Sequence, residues 1–321
     1  MAKRDSEAIA LAGEIELIFA DAIDVEVTPW VEDPLPLPQF MQEHMGLSLW
    51  PMQQQDLKAF LGSTVEDTKR LFTQDPPSPH NCGALVWGKG SGKDLVSSAA
   101  LAWFVHILLC LRNPQEFLGL EASEAIDIAL ASPTLRQTRR ITFTKLKNRF
   151  RGWNWLKHRC EDLGIKDPDR YLKRATDAAD FIELPHQIRI HNIPLIAASA
   201  EGFNLLAFVL SEFAAMESEA GAETAGEVLN AFISSGKTRY QRGWKGFLAS
   251  FPRSLADPQE KIIEQHEAGQ FPELYVVRRA TWEVHPRRTY EDFKDDFLRN
   301  PEDAWAKYGA RPRAAVESYF R

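Results

Sequence analysis

The sequence predicts an α/β protein, a mostly parallel sheet covered by helices on both faces, on three observations. First, the apolar run Ala84–Val86 leads into a glycine-rich loop and then into a long apolar segment, Leu95–Leu111. Second, further apolar runs at 125–131, 205–210 and 246–250 are continuous rather than alternating. Strands of that kind are buried on both sides, the habit of parallel sheets. Third, stretches of helical pattern separate these runs, which is the rhythm of crossover connections.

In chain order, Ser6–Ala22 reads as an amphipathic helix with Ile9, Leu11, Ile15, Leu17 and Phe19 among its apolar positions. Val25–Pro38 is acidic and proline-rich and reads as an extended arm. Pro51–Leu61 is a helix, and Asp75–Pro79 is a loop that stops short of the first strand. After the apolar helix, 125–131 is a second buried strand. Thr134 is placed to cap the helix over Arg136–Phe150, and Trp153–Leu163 follows as another. Short strands are expected at 181–184, 187–191 and 195–198, and a longer one at 205–210. A helix over Glu223–Ser234 and the strand 246–250 complete the core. The last stretch changes character, with short polar helices at Asp292–Asn300 and Glu302–Tyr308. The expected division is an amino-terminal helix and arm over 1–48, a core over 49–270, and a small helical lid or linker subdomain over 271–321.

The bulk properties set limits. The chain has 321 residues, 44% hydrophobic and 26% charged, a globular composition. Its net charge of -7 argues against a protein that simply coats nucleic acid, so any DNA contact must be local. The 3 cysteines, Cys82, Cys110 and Cys160, are widely spaced and suggest neither a disulfide framework nor a metal site. The amino terminus lacks the pattern of a secretory signal, and the longest apolar run is too short to span a bilayer. A reducing cytosol is the default compartment.

Trp87–Asp94 reads W-G-K-G-S-G-K-D between a strand and a helix. Strand, glycine loop, lysine and helix is the architecture of a phosphate-binding P-loop. Gly88, Lys89, Gly90, Ser91, Gly92, Lys93 and Asp94 would cradle phosphates, with Lys93 reaching the β- and γ-oxygens. The strict pattern has glycine where Trp87 stands and serine or threonine where Asp94 stands. The alternative is an ordinary strand-to-helix turn.

A hydrolase of this kind also holds Mg²⁺ and orients a water. The apolar run Leu205–Leu210 ends in Ser211 and Glu212. Glu212 stands where a catalytic carboxylate usually sits, and Ser211 where an aspartate usually supports the metal. Carboxylate and hydroxyl have therefore changed places, with Asp94 on the loop and Ser211 on the strand. Mg²⁺ takes few protein ligands and can accept that exchange. The alternative is that both positions have lost their role.

In their order, these motifs resemble those of the large terminase subunits of tailed bacteriophages, in the amino-terminal DNA-packaging ATPase domain. Leu49–Gln53 looks like the family's adenine-side motif, with Trp50 and Gln53. Gly88–Asp94 looks like its P-loop, with a basic residue at Lys89. Ala131–Thr134 with Gln137 looks like its second-strand motif, and Leu210–Glu212 like its acidic strand end. Leu248–Pro252 looks like its coupling motif, with Ser250, and Thr281–Pro286 resembles a segment near the domain's end. The likeness runs from Leu49 to the carboxyl terminus. It implies an ATP hydrolase using Mg²⁺ on Asp94 and Ser211, with Glu212, Lys93 and Lys89 catalytic and Ser250 coupling. It implies double-stranded DNA, a portal protein and a small terminase subunit as partners, and a homo-oligomeric ring when active, with a monomer allowed in isolation. It implies a setting in the host cytoplasm, docked transiently on the procapsid, with no membrane.

Two departures matter. The family often has Arg-Gly before the acidic strand, where this chain has Glu201-Gly202. An arginine finger must come from elsewhere, with Arg136, Arg139, Arg140, Arg239 and Arg242 as candidates. The family's nuclease would begin near Arg321, so no nuclease activity is expected of this chain. Among the remaining features, the basic stretch Lys145–Arg159 suits phosphate contacts but reads better as a solvated helix face with its tryptophans inward. His186 and His191 read as structural, and Asp292, Asp295 and Asp296 as an exposed helix face. Another P-loop translocase or helicase-like ATPase, or a nucleotide-binding assembly module without hydrolysis, are the alternatives in function.

Overall fold

The computed structural model describes residues 28–133, 135–216 and 225–314, without the side chains of Gln137, Thr138, Arg140 and Ile141. The amino-terminal helix, the cap at Thr134, the side chains of Gln137 and Arg140, and the first residues of the helix expected from Glu223 lie outside the described residues.

One seven-stranded sheet organises the chain. Its strands are β1 (Cys82–Trp87), β2 (Ile126–Ser132), β3 (Phe181–Leu184), β4 (Ile188–Pro194), β5 (Leu205–Ser211), β6 (Lys245–Ser250) and β7 (Leu274–Arg279). Their order is β3-β4-β2-β5-β6-β1-β7. All neighbours run parallel except β3 against β4. Every residue of β1, β2 and β6 is buried, as is all of β5 except Ser211. The apolar runs of the sequence are therefore the central strands, shielded on both faces.

Helices α1 (Leu37–Met45), α2 (Pro51–Leu61), α3 (Lys93–Leu109), α4 (Thr144–Gly152), α5 (Asn154–Asp162), α6 (Ala225–Tyr240) and α7 (Pro258–Glu267) pack around the sheet. The loop helix α3 is buried on nearly all sides, from Val96 through Leu109, which its lack of a polar stripe requires. It lies against β5 and β6. No described helix is long and apolar enough to cross a membrane.

Three expectations are corrected. The helix expected over 136–150 is broken into a short helix at Leu135–Thr138, a π-helical turn at Arg139–Phe143, and α4. The Thr144 hydroxyl donates to the Arg139 carbonyl at 2.7 Å, drawing that carbonyl out of the regular ladder. The strand expected at 195–198 is absent. Leu195 N–H donates to Ser132 at 3.1 Å, which is where β2 ends, and with no strand left to pair the chain makes a 3₁₀ turn at Ala197–Ser199.

The third correction concerns the carboxyl-terminal stretch. Its β7 adds an edge strand beside β1, so residues 274–279 belong to the core sheet. Beyond it come α8 (Thr281–Val284), a 3₁₀ turn at Tyr290–Phe293, α9 (Lys294–Arg299) and α10 (Pro301–Lys307). These pieces are less polar than their composition suggests. Tyr290, Phe293, Phe297 and Trp305 surround Trp282 with ring centroids 5.4 to 6.2 Å away.

Candidate functional site

Parallel strands bring their carboxyl ends to one edge, and the loops there carry the chemistry. β1 and β5 flank β6, and the register sets Val86 beside Ser250 and Ser211 beside Ala249. The P-loop, the acidic strand end and the Leu248–Pro252 segment thereby meet at one edge, although they are far apart in sequence.

Trp87, where the strict P-loop pattern has glycine, is the last residue of β1 and fully buried. Its indole N–H donates to Asp56 at 3.1 Å, and Asp56 also pairs with Arg279 at 2.9 Å. The departure is thus a core residue, and the loop proper begins at Gly88. Gly90 and Gly92 have φ of 89° and 77°, backbone that glycine adopts readily. The main-chain N–H groups of Gly90, Gly92, Lys93 and Asp94 have no acceptor among the described residues. Converging donors at a helix start form an anion cradle. The Ser91 hydroxyl, also in this loop, is buried without a partner. These features fit a phosphate group.

Gly88 and Lys89 lie differently than expected. The Gly88 N–H donates to Arg279 at 3.0 Å and the Lys89 N–H to the Lys307 carbonyl at 2.6 Å. The Thr281 hydroxyl donates to the Lys89 carbonyl at 2.9 Å. The backbone of both residues is therefore clamped by the carboxyl-terminal segment and turned away from the cradle. A Cβ on Gly88 would stand 2.4 Å from the Tyr308 carbonyl oxygen, so this glycine is demanded by packing. The Lys89 side chain is exposed.

Gln53 is also placed otherwise than expected. It is buried, its amide N–H donates to the Ser91 carbonyl at 2.8 Å, and its oxygen accepts from Trp50 N–H at 2.9 Å. Gln53 braces the loop from beneath through α2. Trp50 is half-buried, with its ring 4.3 Å from that of His285.

Lys93 is only 4% exposed. Burial holds its pKa below the ordinary lysine range, opposed by Asp94 and Glu212 and assisted by Lys89. Its ammonium lies 5.1 Å from the centre of the Phe251 ring. Glu212 follows β5 in left-handed backbone, φ 56° and ψ 36°. That conformation costs a non-glycine residue about 1–2 kcal/mol and turns the chain sharply at the strand end. The Glu212 N–H donates to the Ala249 carbonyl at 3.0 Å. Burial raises the Glu212 carboxyl pKa, Lys93 opposes this, Asp94 adds to it, and Arg253 and Lys89 oppose it. Lys93, Asp94, Glu212, Lys89 and Arg253 therefore share one electrostatic neighbourhood.

Asp94 is exposed in the first turn of α3, and Ser211 is half-buried at the end of β5. Carboxylate and hydroxyl oxygens are hard donors of the kind Mg²⁺ takes, so the donor set is chemically suitable. Ser250 is fully buried. Its hydroxyl accepts from Ala214 N–H at 3.4 Å and donates to the Phe251 carbonyl at 3.3 Å, linking β6 to the turn that carries Glu212.

Arg253 is the residue the sequence reading passed over. It stands three places after Ser250 in the coupling motif, which was the available signal. Of the arginines considered earlier, Arg139 pairs with Asp180 and Arg239 with Glu124. The Arg242 carbonyl accepts from Asn81, just before β1 and at the opposite edge of the sheet. Several basic side chains of the stretch 145–159 are engaged by the protein itself. Arg149 donates to the Ser98 hydroxyl, Arg151 to Thr176, Lys147 to the Ala179 carbonyl and Arg159 to the Leu109 carbonyl.

Comparison with known proteins agrees with this architecture. A family model described as "Uncharacterized protein MJ0330, N-terminal P-loop domain" matches residues 15–310. The uncharacterized protein MJ0330 of Methanocaldococcus jannaschii is 25% identical over 305 residues, covering 89% of this chain and 52% of that protein. The chain thus spans about half the length of that relative. Among solved structures, the bacteriophage HK97 large terminase superposes with a TM-score of 0.55 at 12% identity, covering 87% of this chain and 55% of that one. The ATPase domain of the Thermus phage P74-26 large terminase gives a TM-score of 0.44 at 16% identity, over 79% of this chain and 96% of that one. The HK97 match shows a shared fold.

Proposed function

The chain belongs to the family of the MJ0330 N-terminal P-loop domain, and from that premise we propose that it is an ATP-hydrolysing motor domain that moves double-stranded DNA, of the kind that fills viral procapsids. One observation carries the reading: Lys93, Glu212 and Ser250, from three separate motifs, meet at the carboxyl edge of β1, β5 and β6. Phosphoryl transfer needs little covalent help from a protein, only positioning and charge. The free N–H groups of the loop receive the phosphate oxygens. Lys93 places a positive charge on the transferring group, with Lys89 assisting from the exposed side. Glu212 orients the attacking water, and Arg253 favours its charged form. Mg²⁺ would be held by Asp94 and Ser211 and would neutralise phosphate charge. Trp50 would flank the nucleoside, and Gln53 acts by bracing the loop. Ser250 passes the state of the Glu212 turn to the following segment.

On this reading the partners are double-stranded DNA, a portal protein and a small terminase subunit, with several copies acting as a ring in the host cytoplasm. The decisive assay measures phosphate release with and without duplex DNA, in parallel with displacement of a third strand from a duplex. DNA-stimulated hydrolysis with strand displacement, both lost in Glu212→Gln, is the expected result. Unwinding of the duplex would favour a helicase-like role. Nucleotide binding with no hydrolysis at any protein concentration would leave only an assembly module.

A further inference from the structure

We propose that Phe251 is a positioning residue for Lys93, its ring face holding the ammonium in line with the loop. This rests on the reading of Lys93 as the phosphate contact. Lys93 is 4% exposed, yet its ammonium has no hydrogen bond and no ion pair among the described residues. Its nitrogen is nevertheless not fully buried, so its open side can meet solvent or an anion. The contact that remains is the Phe251 ring, 5.1 Å from the ammonium, within the range where the negative face of an aromatic ring attracts a cation. Asp94 and Glu212 act on Lys93 electrostatically without forming an ion pair with it.

The arrangement suits a phosphate-binding lysine. A carboxylate at contact distance would compete with the phosphate, whereas a ring steadies the charge and leaves all three N–H donors available. Phe251 is well anchored for the task. It follows the last residue of β6, and its carbonyl accepts from the Ser250 hydroxyl, which also receives Ala214 N–H from the turn after Glu212. Ser250 and Phe251 together fix the position of Lys93 relative to Glu212, one through the acidic turn and the other through the ammonium.

The test is a double-mutant cycle on binding of a fluorescent ATP analogue, which does not depend on turnover. Phe251→Leu keeps the apolar bulk and removes the ring, and should weaken binding by roughly 2- to 30-fold. Phe251→Tyr should restore it. In a Lys93→Met background, Phe251→Leu should have no further effect, because the two act through one contact. An equal loss in that background, or a tyrosine variant as impaired as the leucine one, overturns the proposal. If the wild-type protein binds no analogue, the functional reading falls instead. The same four proteins then decide the inference by urea unfolding, where coupling between the two positions supports it and strict additivity overturns it.

Discussion

Two buried lysines stand at opposite edges of the same sheet, and their surroundings differ in one respect. Lys245 opens β6, has no exposed surface, and donates from its ammonium to the His80 carbonyl at 2.9 Å with the Phe60 ring 5.4 Å away. Lys93 follows β1 at the other edge and has an aromatic ring but no acceptor among the described residues. The first is a tie between a loop and a strand. The second has its donors available for an anion. Burial alone therefore does not tell the two apart. What separates the two is whether the protein itself satisfies the ammonium.

The largest expected effect tests that distinction directly. On the proposed function, Lys93→Ala should lower ATP turnover by about 10²–10³-fold or more, since it would remove the mobile charge aimed at the leaving phosphates. Lys245→Met should leave turnover near that of the wild type in the same phosphate-release assay. A large loss in both variants would erase the contrast.

Next in size is a stability effect confined to the structural edge. Burial, with Arg242 adding to it, pushes the pKa of Lys245 down to about 7. Between that value and the ordinary lysine range, the folded state holds it neutral while the unfolded chain keeps it protonated. The unfolded state then binds the extra proton, so stability rises with pH across that window. The gain should be on the order of a few kcal/mol, and Lys245→Met should flatten it. Urea unfolding at about pH 6.5 and about pH 9.5 measures the slope. An unchanged slope in the variant would mean that another group titrates.

The smallest effect compares two buried amides. Gln53 braces the P-loop, whereas Asn81 donates to the Arg242 and Trp244 carbonyls at 2.7 and 2.8 Å at the other edge. Asn81→Ala should destabilise the fold by about 1–3 kcal/mol with little change in KM. Gln53→Ala should raise KM for ATP several-fold, roughly the effect of one hydrogen bond. A KM change of the same size in both variants would show that the two edges are coupled.

Much of the candidate site was legible because its pattern is local. Gly88–Asp94 carries its own spacing, and the run ending in Ser211 and Glu212 announces a strand with an acid at its tip. What could not be read was contact across the sheet. Arg253 acts on the Glu212 carboxyl because β6, which it follows, is the neighbour of β5. Gln53 looked like a base-reading residue from its motif, but the packing of α2 under the loop engages both ends of its amide.

The same division holds for the whole protein. By itself the sequence determined the apolar central strands, the loop helix and the order of the motifs, since periodicity, glycine placement and burial tendency act over a few residues. Tertiary structure alone decided three things. It placed β7 beside β1 and let the carboxyl-terminal segment clamp Gly88 and Lys89. It set the Phe251 ring against Lys93. It also gave one buried lysine a carbonyl and left the other without one. Each depends on which distant segments the sheet order makes neighbours, and no local pattern along a chain encodes that.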